Sequence, residues 1–351
     1  MSCKIEFPTL SHDVRCVRMS NDVISVDVLP DKGADIYALV HKATGIDVMW
    51  KSPGGLRGPN EGRYSPDSQV AWLEQYEGGW QEIAPNGGSA GVYKGVELSF
   101  HGECTLLPWA YAVIKDSADE IIIDFQVTMY RSPFRIVRRM SLRSDSNKLQ
   151  LDEQLTNLAN EPMDLMWGHH PAYGEPFLSG DCRIQTNATK VVTAVTDNTG
   201  LQAGAESTWP LVVDTHGGQR DLSIVPAQGD DSATMAYLTE FDGAPWYAIL
   251  NPTLGVGVGM VWSADVFKHL WFWQEMGGGA GFPWYKRVYT MALEPWSSYT
   301  HLGAGLVTVM ETTKNQLVMQ PGETLSASLT VSLFDVTAGM QVQRADLMNH
   351  P

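Results

Sequence analysis

Alternation of apolar and polar residues runs from near one end of this chain to the other, and few folds accommodate it. Ile24, Val26 and Val28 interleave with Ser25 and Asp27, and Ile123, Phe125, Val127 and Met129 with Asp124, Gln126 and Thr128. Near the end, Leu325, Ala327, Leu329, Val331 and Leu333 interleave with Ser326, Ser328, Thr330 and Ser332. A period of two sends one set of side chains to each face of a strand, so these segments predict half-buried strands. Helical periodicity is scarce, the best case being "SPDSQVAWLEQYEGG", with Val70, Leu73 and Tyr76 on one side of a short helix. Turns such as "NGGSAG" and "GGGAGFP" punctuate the strands, and neither a spacer nor a repeat interrupts them. The expectation is an all-β protein: a large antiparallel β-sandwich, one sheet curved around a cleft, with residues 1–351 forming a single domain.

Hydrophobic residues make up 44% of the chain and charged residues 18%, enough to build a sizeable core and too little charge for disorder. A formal net charge of -16, with no local cluster of Lys or Arg, excludes nucleic acid and anionic membranes as expected partners. The start, "MSCKIEFPTLSHD", has no apolar run resembling a signal peptide, and no window approaches a membrane span, so a cytoplasmic location is expected. Cys3, Cys16, Cys104 and Cys182 are scattered without a Cys-x-x-Cys pair, which predicts reduced thiols. "GVGVGMVW" (255–262) reads as a strand with one bare face that admits another backbone or a ligand, because no helix follows to complete a dinucleotide fingerprint. "HGE" (101–103) lacks the cysteine half of a zinc deaminase signature. Neither a metal nor a cofactor is expected.

Two short segments carry candidate chemistry. In "DLMWGHHPAYG", read as a strand, Leu165, Trp167 and His169 share the core face, while Gly168 and His170 share the open one. Gly168 then leaves room for a ligand beside His170, and His169 reads as a hydrogen-bonded histidine at the edge of the core. In "VYTMALEPWSS", Met291 and Leu293 take the core face, and Thr290, Ala292 and Glu294 the other, leaving a single carboxylate in an otherwise uncharged strand. Twelve tryptophans, several beside Gly-rich turns (Trp80, Trp109, Trp167, Trp246, Trp271, Trp273, Trp284), suit either a core or a cleft where indole faces meet sugar rings.

The segments "HGE" at 101, "GHHPAYG" at 168 and "ALEPWSS" at 292 resemble, in order and spacing, the motifs of the aldose 1-epimerase (galactose mutarotase-like) family. "LPDKGADIYALVHKATGIDVMW" and "GGWQEIAPNGG" extend the resemblance over most of the chain. Members of that family usually carry His-x-Tyr-Phe-Asn after the mid-chain histidine and His-Gly-Gly at the earlier one. With "HPAYG" and "HGE", this chain looks closer to the less characterised aldose-epimerase-like branches. The resemblance implies a β-sandwich holding an aldose in its cleft, Glu294 as general base, His170 as general acid and His101 as a sugar-binding residue. Trp80, Glu82, Trp167, Trp273 and Arg63 are further candidates for contact with the sugar. On this reading the protein is an isomerase that interconverts α and β anomers, with Glu294 ionised and its charge keeping His170 protonated near neutral pH. The expected partner is a small-molecule sugar, and a homodimer is allowed. An anionic substituent on the sugar directs attention to Arg63, Arg131 or Arg287. A non-catalytic sugar-binding protein of the same fold is the rival reading. A lyase acting on polyanionic uronic-acid polymers suits so acidic a chain poorly.

Overall fold

A computed structural model of the chain describes residues 2–58, 61, 65–195 and 200–349. Its architecture is the expected all-β sandwich. Among the described residues, twelve strands form one sheet and eight form a second, every pairing within them antiparallel. The alternating segments of the sequence are long strands here: Ile24–Leu29 in the first sheet, Glu120–Thr128 and Thr324–Asp335 in the second.

Apolar residues of both sheets merge in one cluster, where Val26, Ile36 and Ile83 of the first meet Phe125, Leu151 and Leu329 of the second. Polar contacts also cross this layer: the Tyr173 and Tyr247 hydroxyls lie 2.7 Å apart. The far face of the second sheet is partly covered by the helix Arg344–Asn349. A Cβ at Gly257 would meet the Phe334 ring at 2.6 Å, and one at Gly259 the Leu347 side chain at 2.3 Å. The bare face of "GVGVGMVW" therefore receives side chains, Leu347 from that helix among them. Side chains take the space expected to admit another backbone or a ligand, which corrects the expectation.

The helix expected around Leu73 spans Ser68–Gln75 and lies over the other, concave face of the first sheet. Asp67 caps it, its carboxylate accepting the Gln69 and Val70 N–H groups. Its buried side is Trp72, Gln75 and the following Tyr76, rotated from the expected Val70–Leu73–Tyr76 stripe, because the helix sits on an aromatic cleft instead of the main core. The four cysteines are buried and unbridged. Among the described residues no helix is long and apolar enough to cross a membrane.

Candidate active site

One transverse row of the first sheet builds the site. Ile36 lies opposite Trp80, so one residue on, Asp35 faces Gln81 across the strands Asp35–His41 and Trp80–Ile83. Gln81 in turn lies opposite His170 in the strand Gly168–Gly174. The pairs Gly168–Trp296 and Ala172–Ala292 bracket His170 and put it opposite Glu294 in the strand Tyr289–Trp296. Glu294 faces Trp271 of the strand His269–Met276, and Trp271 faces Tyr237 of the strand Ser232–Phe241. Neighbouring strands lie about 4.8 Å apart, so residues in one row on one face converge on a common space.

That space is a cavity of about 380 Å³, a size suited to a small ligand. His101, His170, Glu294 and Tyr237 line it, along with Trp72, Trp271, Trp273, Trp284, Phe100 and Met235. Of the tryptophans flagged in the sequence, Trp271, Trp273 and Trp284 belong to this wall. The loop bearing Trp284 is tethered by Glu275, whose carboxylate accepts the Gly279 N–H at 2.7 Å.

At the floor, His170 Nε2 stands 3.6 Å from Glu294 Oε1, just beyond hydrogen-bonding distance. Glu294 Oε2 accepts the Trp296 Nε1–H at 3.0 Å, and the Tyr76 hydroxyl lies 3.3 Å from His170 Nδ1. With Nδ1–H donating to the Tyr76 hydroxyl, Nε2, the nitrogen nearer Glu294, keeps a lone pair that can take the carboxyl proton. Burial pushes the Glu294 carboxyl up to about 8, partly offset by the bond from Trp296, and burial pushes His170 down to about 4. Near neutral pH the pair is therefore a protonated carboxyl and a neutral imidazole. This corrects the expected ion pair: desolvation of both groups outweighs their attraction.

His101 sits at a turn with left-handed backbone, φ 53°, followed by Gly102 at φ 68°. A side chain at Gly102 would strike the Ala84 carbonyl, so this corner requires glycine. The Gly88 N–H donates to His101 Nδ1 at 3.1 Å, and the His101 N–H donates to the Gly88 carbonyl at 3.0 Å. Nε2–H is thus the nitrogen left to a ligand. The His101 and His170 rings are 5.9 Å apart, and Trp72 lies edge-on to His101 at 4.8 Å.

Three candidates lie on the opposite face. Trp80, Glu82 and Trp167 point between the sheets, because Gln81 takes the concave side of "WQE" and Trp167 shares the parity of His169. Trp80 Nε1–H donates to His169 Nδ1 at 3.1 Å, His169 Nε2 lies 3.0 Å from Glu153 Oε2, and Trp167 Nε1–H donates to Glu82 Oε1 at 3.0 Å. Arg138, 3.4 Å from Glu82, also donates to the Ala34 carbonyl. His169 is therefore fully enclosed in a polar network inside the core, deeper than the expected edge. Gly168 likewise leaves no room for a ligand: a Cβ there would meet the Trp296 indole at 2.2 Å. Arg63 lies outside the described residues. Arg131 bonds Ser99 Oγ at 2.5 Å, and the Arg287 guanidinium lies over the Tyr285 ring at 5.8 Å; neither is part of the cavity wall.

Tyr76, Trp72 and Tyr237 were not singled out as site residues in the sequence. Tyr76 had only helical spacing to mark it, Trp72 fell outside that stripe, and Tyr237 had no mark beyond strand alternation.

Residues 11–333 match the family described as a domain of unknown function, DUF4432. The chain belongs to that family. No curated protein matches this DUF4432 chain in sequence. Among solved structures it is similar to a candidate aldose 1-epimerase from Klebsiella pneumoniae, with TM-score 0.74 and 18% identity over 95% of this chain and 84% of that one. A galactose mutarotase-like protein from Clostridium acetobutylicum gives TM-score 0.67 at 14% identity, covering 95% and 99% of the two chains. A candidate aldose 1-epimerase from Escherichia coli K12 gives 0.58 at 16%, covering 95% and 100%. At such identities the likeness establishes the fold, a galactose mutarotase-like sandwich.

Proposed function

We propose that this DUF4432 protein is an aldose 1-epimerase that interconverts the α and β anomers of a monosaccharide by acid–base ring opening. The observation that carries the reading is the His170–Glu294 pair, 3.6 Å apart on the floor of a cavity walled by aromatic rings. Indole and phenyl faces suit the C–H faces of a sugar ring, and the imidazole and carboxyl supply an acid and a base.

In the reaction, Glu294 as carboxylate takes the proton of the anomeric hydroxyl while His170 as imidazolium protonates the ring oxygen. The C1–O5 bond breaks, giving the open-chain aldehyde. Rotation about C1–C2 and closure, with the two residues exchanging roles, yields the other anomer and returns each proton. The reactive pair contains the same number of protons as the neutral pair. Only the proton's position differs, and sugar hydroxyls bonded to both groups stabilise the charged arrangement that burial alone disfavours. His101 Nε2–H donates to the sugar on the His170 side, near the ring oxygen.

Anomer exchange in a panel of aldoses, followed by polarimetry and saturation-transfer NMR, tests this. Wild type accelerates exchange of at least one aldose, and Glu294→Gln lowers that rate by about 100- to 10,000-fold while sugar binding persists. Binding without faster exchange in the wild type would assign the cleft to a non-catalytic carbohydrate-binding protein instead.

A further inference from the structure

Three residues of the active-site row, Asp35, Gln81 and Tyr237, have a buried polar atom with no described partner, and of these Tyr237 alone belongs to the described cavity wall. Its hydroxyl is buried without a hydrogen bond, although its side chain lines the cavity. A buried hydroxyl left unpaired costs free energy, and such atoms recur where a ligand completes the bonding. Two ring contacts hold it: Trp271 stands edge-on at 5.5 Å, and Tyr299 is tilted at 5.3 Å. The hydroxyl itself is covered, so a ligand reaches it only once the ring tilts toward the cavity.

Its place in the row indicates what it meets. From one side to the other, the row reads His170, Glu294, Trp271, Tyr237. His101 lies on the His170 side, so both imidazoles of the described cavity wall are at one end and Tyr237 is at the other. In the proposed reaction the ring oxygen faces His170 and the anomeric hydroxyl faces Glu294. In an aldose, C1 joins the ring oxygen on one side and C2 on the other. Continuing along the row past Glu294 therefore leads to the C2 side of the ring, with Trp271 beneath it.

We propose that Tyr237 is a substrate-binding, specificity-determining residue that hydrogen-bonds the 2-hydroxyl, making the substrate class 2-hydroxy aldoses in preference to their 2-deoxy counterparts. This rests on the reading of the Glu294–His170 pair given above, because that pair fixes the direction of the ring. A site holding a buried polar group for one substrate hydroxyl discriminates against the analogue that leaves it unpaired.

The test compares three sugars with their own 2-deoxy forms: D-glucose, D-galactose and D-ribose. Dissociation constants come from NMR titration, and anomer-exchange rates are measured in parallel, for wild type and Tyr237→Phe. The expected result is that at least one parent binds wild type on the order of 10-fold more tightly than its 2-deoxy form, a gap that closes in Tyr237→Phe. The melting temperature of the variant should equal or exceed that of wild type, since the change removes a hydroxyl with no protein partner. A gap that persists in Tyr237→Phe, equal binding of parent and 2-deoxy sugar by wild type, or no binding of any of the six would overturn the assignment. The two readings fail separately. A gap that closes in the variant while no exchange occurs in wild type keeps Tyr237 as a sugar-binding residue and removes the epimerase reading; exchange with no 2-hydroxyl preference does the reverse.

Discussion

The strand Gly168–Gly174 carries two histidines, each near a buried glutamate, on opposite faces of one sheet. On the concave face, His170 is 3.6 Å from Glu294; on the inner face, His169 is 3.0 Å from Glu153. Burial acts alike on both pairs, pushing each carboxyl up to about 8 and each imidazole down to about 4. What separates them is access and completeness. His169 is bonded on both ring nitrogens, by Trp80 and Glu153, and packed against Phe267 at 5.2 Å, whereas the His170 pair leaves a gap that opens on the cavity. A displaced pKa is therefore no mark of function in itself, because a closed core produces it as readily as an active site. The unfilled contact beside a cavity is the distinguishing feature.

Substituting each histidine in turn is the strongest way to break that contrast. His170→Asn removes the imidazole facing the cavity and should lower turnover by about 100-fold or more with little change in melting temperature. His169→Asn leaves Trp80 and Glu153 poorly matched in the core and should cost roughly 1 to 3 kcal/mol of stability, while folded molecules still turn over. Turnover and thermal unfolding of the two variants, measured side by side, decide it. The reverse pattern would place the chemistry on the inner face.

Strand parity made this division of the histidines legible, because alternation is local and Pro171 holds the preceding residue extended. The same rule put Glu294 apart from Met291 and Leu293, and the two-sheet architecture followed from alternation carried across the chain. The row itself was not legible. Glu294, Trp271 and Tyr237 become neighbours only through the registers of three strands, and no local pattern states which strands pair. Trp80 shows the resulting error: its closeness to Gly78 and Gly79 suggested a cleft, yet Gln81 faces the concave side, and Trp80 and Glu82 face the core. Gly168 shows another, since its missing side chain accommodates Trp296 from a distant segment.

That last contact gives a smaller effect on the concave side alone. In Gly168→Ala the new methyl group would lie 2.2 Å from the Trp296 indole, so the indole must shift, and with it the bond from Nε1 to Glu294. Overpacking of this kind typically costs about 1 to 3 kcal/mol. Loss of a hydrogen bond to the charged base should reduce turnover on the order of 10-fold. Crystallography and kinetics on the same variant check both parts, and an unmoved Trp296 with full activity would show that the indole does not position Glu294.

The smallest effect concerns pH, and it separates the two carboxyls by their access to water. An unfolded glutamate titrates near about 4.3, whereas burial raises both Glu153 and Glu294 to about 8 in the folded chain. Between those values the folded state keeps a proton that the unfolded state has lost, so stability is fully present below about 4.3 and falls as pH rises towards 8. The buried histidines have the opposite slope, because only the unfolded chain protonates them, and that slope is confined to pH values below about 6.5. From pH 6.5 to 8.5 the buried carboxyls dominate, Glu82 beside Glu153 being raised to about 8 as well, and the melting temperature of wild type should decline. Glu153→Gln should flatten that decline more than Glu294→Gln does, since Glu153 Oε1 has no partner in the closed core while Glu294 lines an open cavity that water can enter. Thermal melts of the three proteins across this range give the slopes. If Glu294→Gln flattens the decline as much as Glu153→Gln, the cavity floor is as closed to water as the core, and the bonding of both His169 ring nitrogens, without access, is what distinguishes the two pairs.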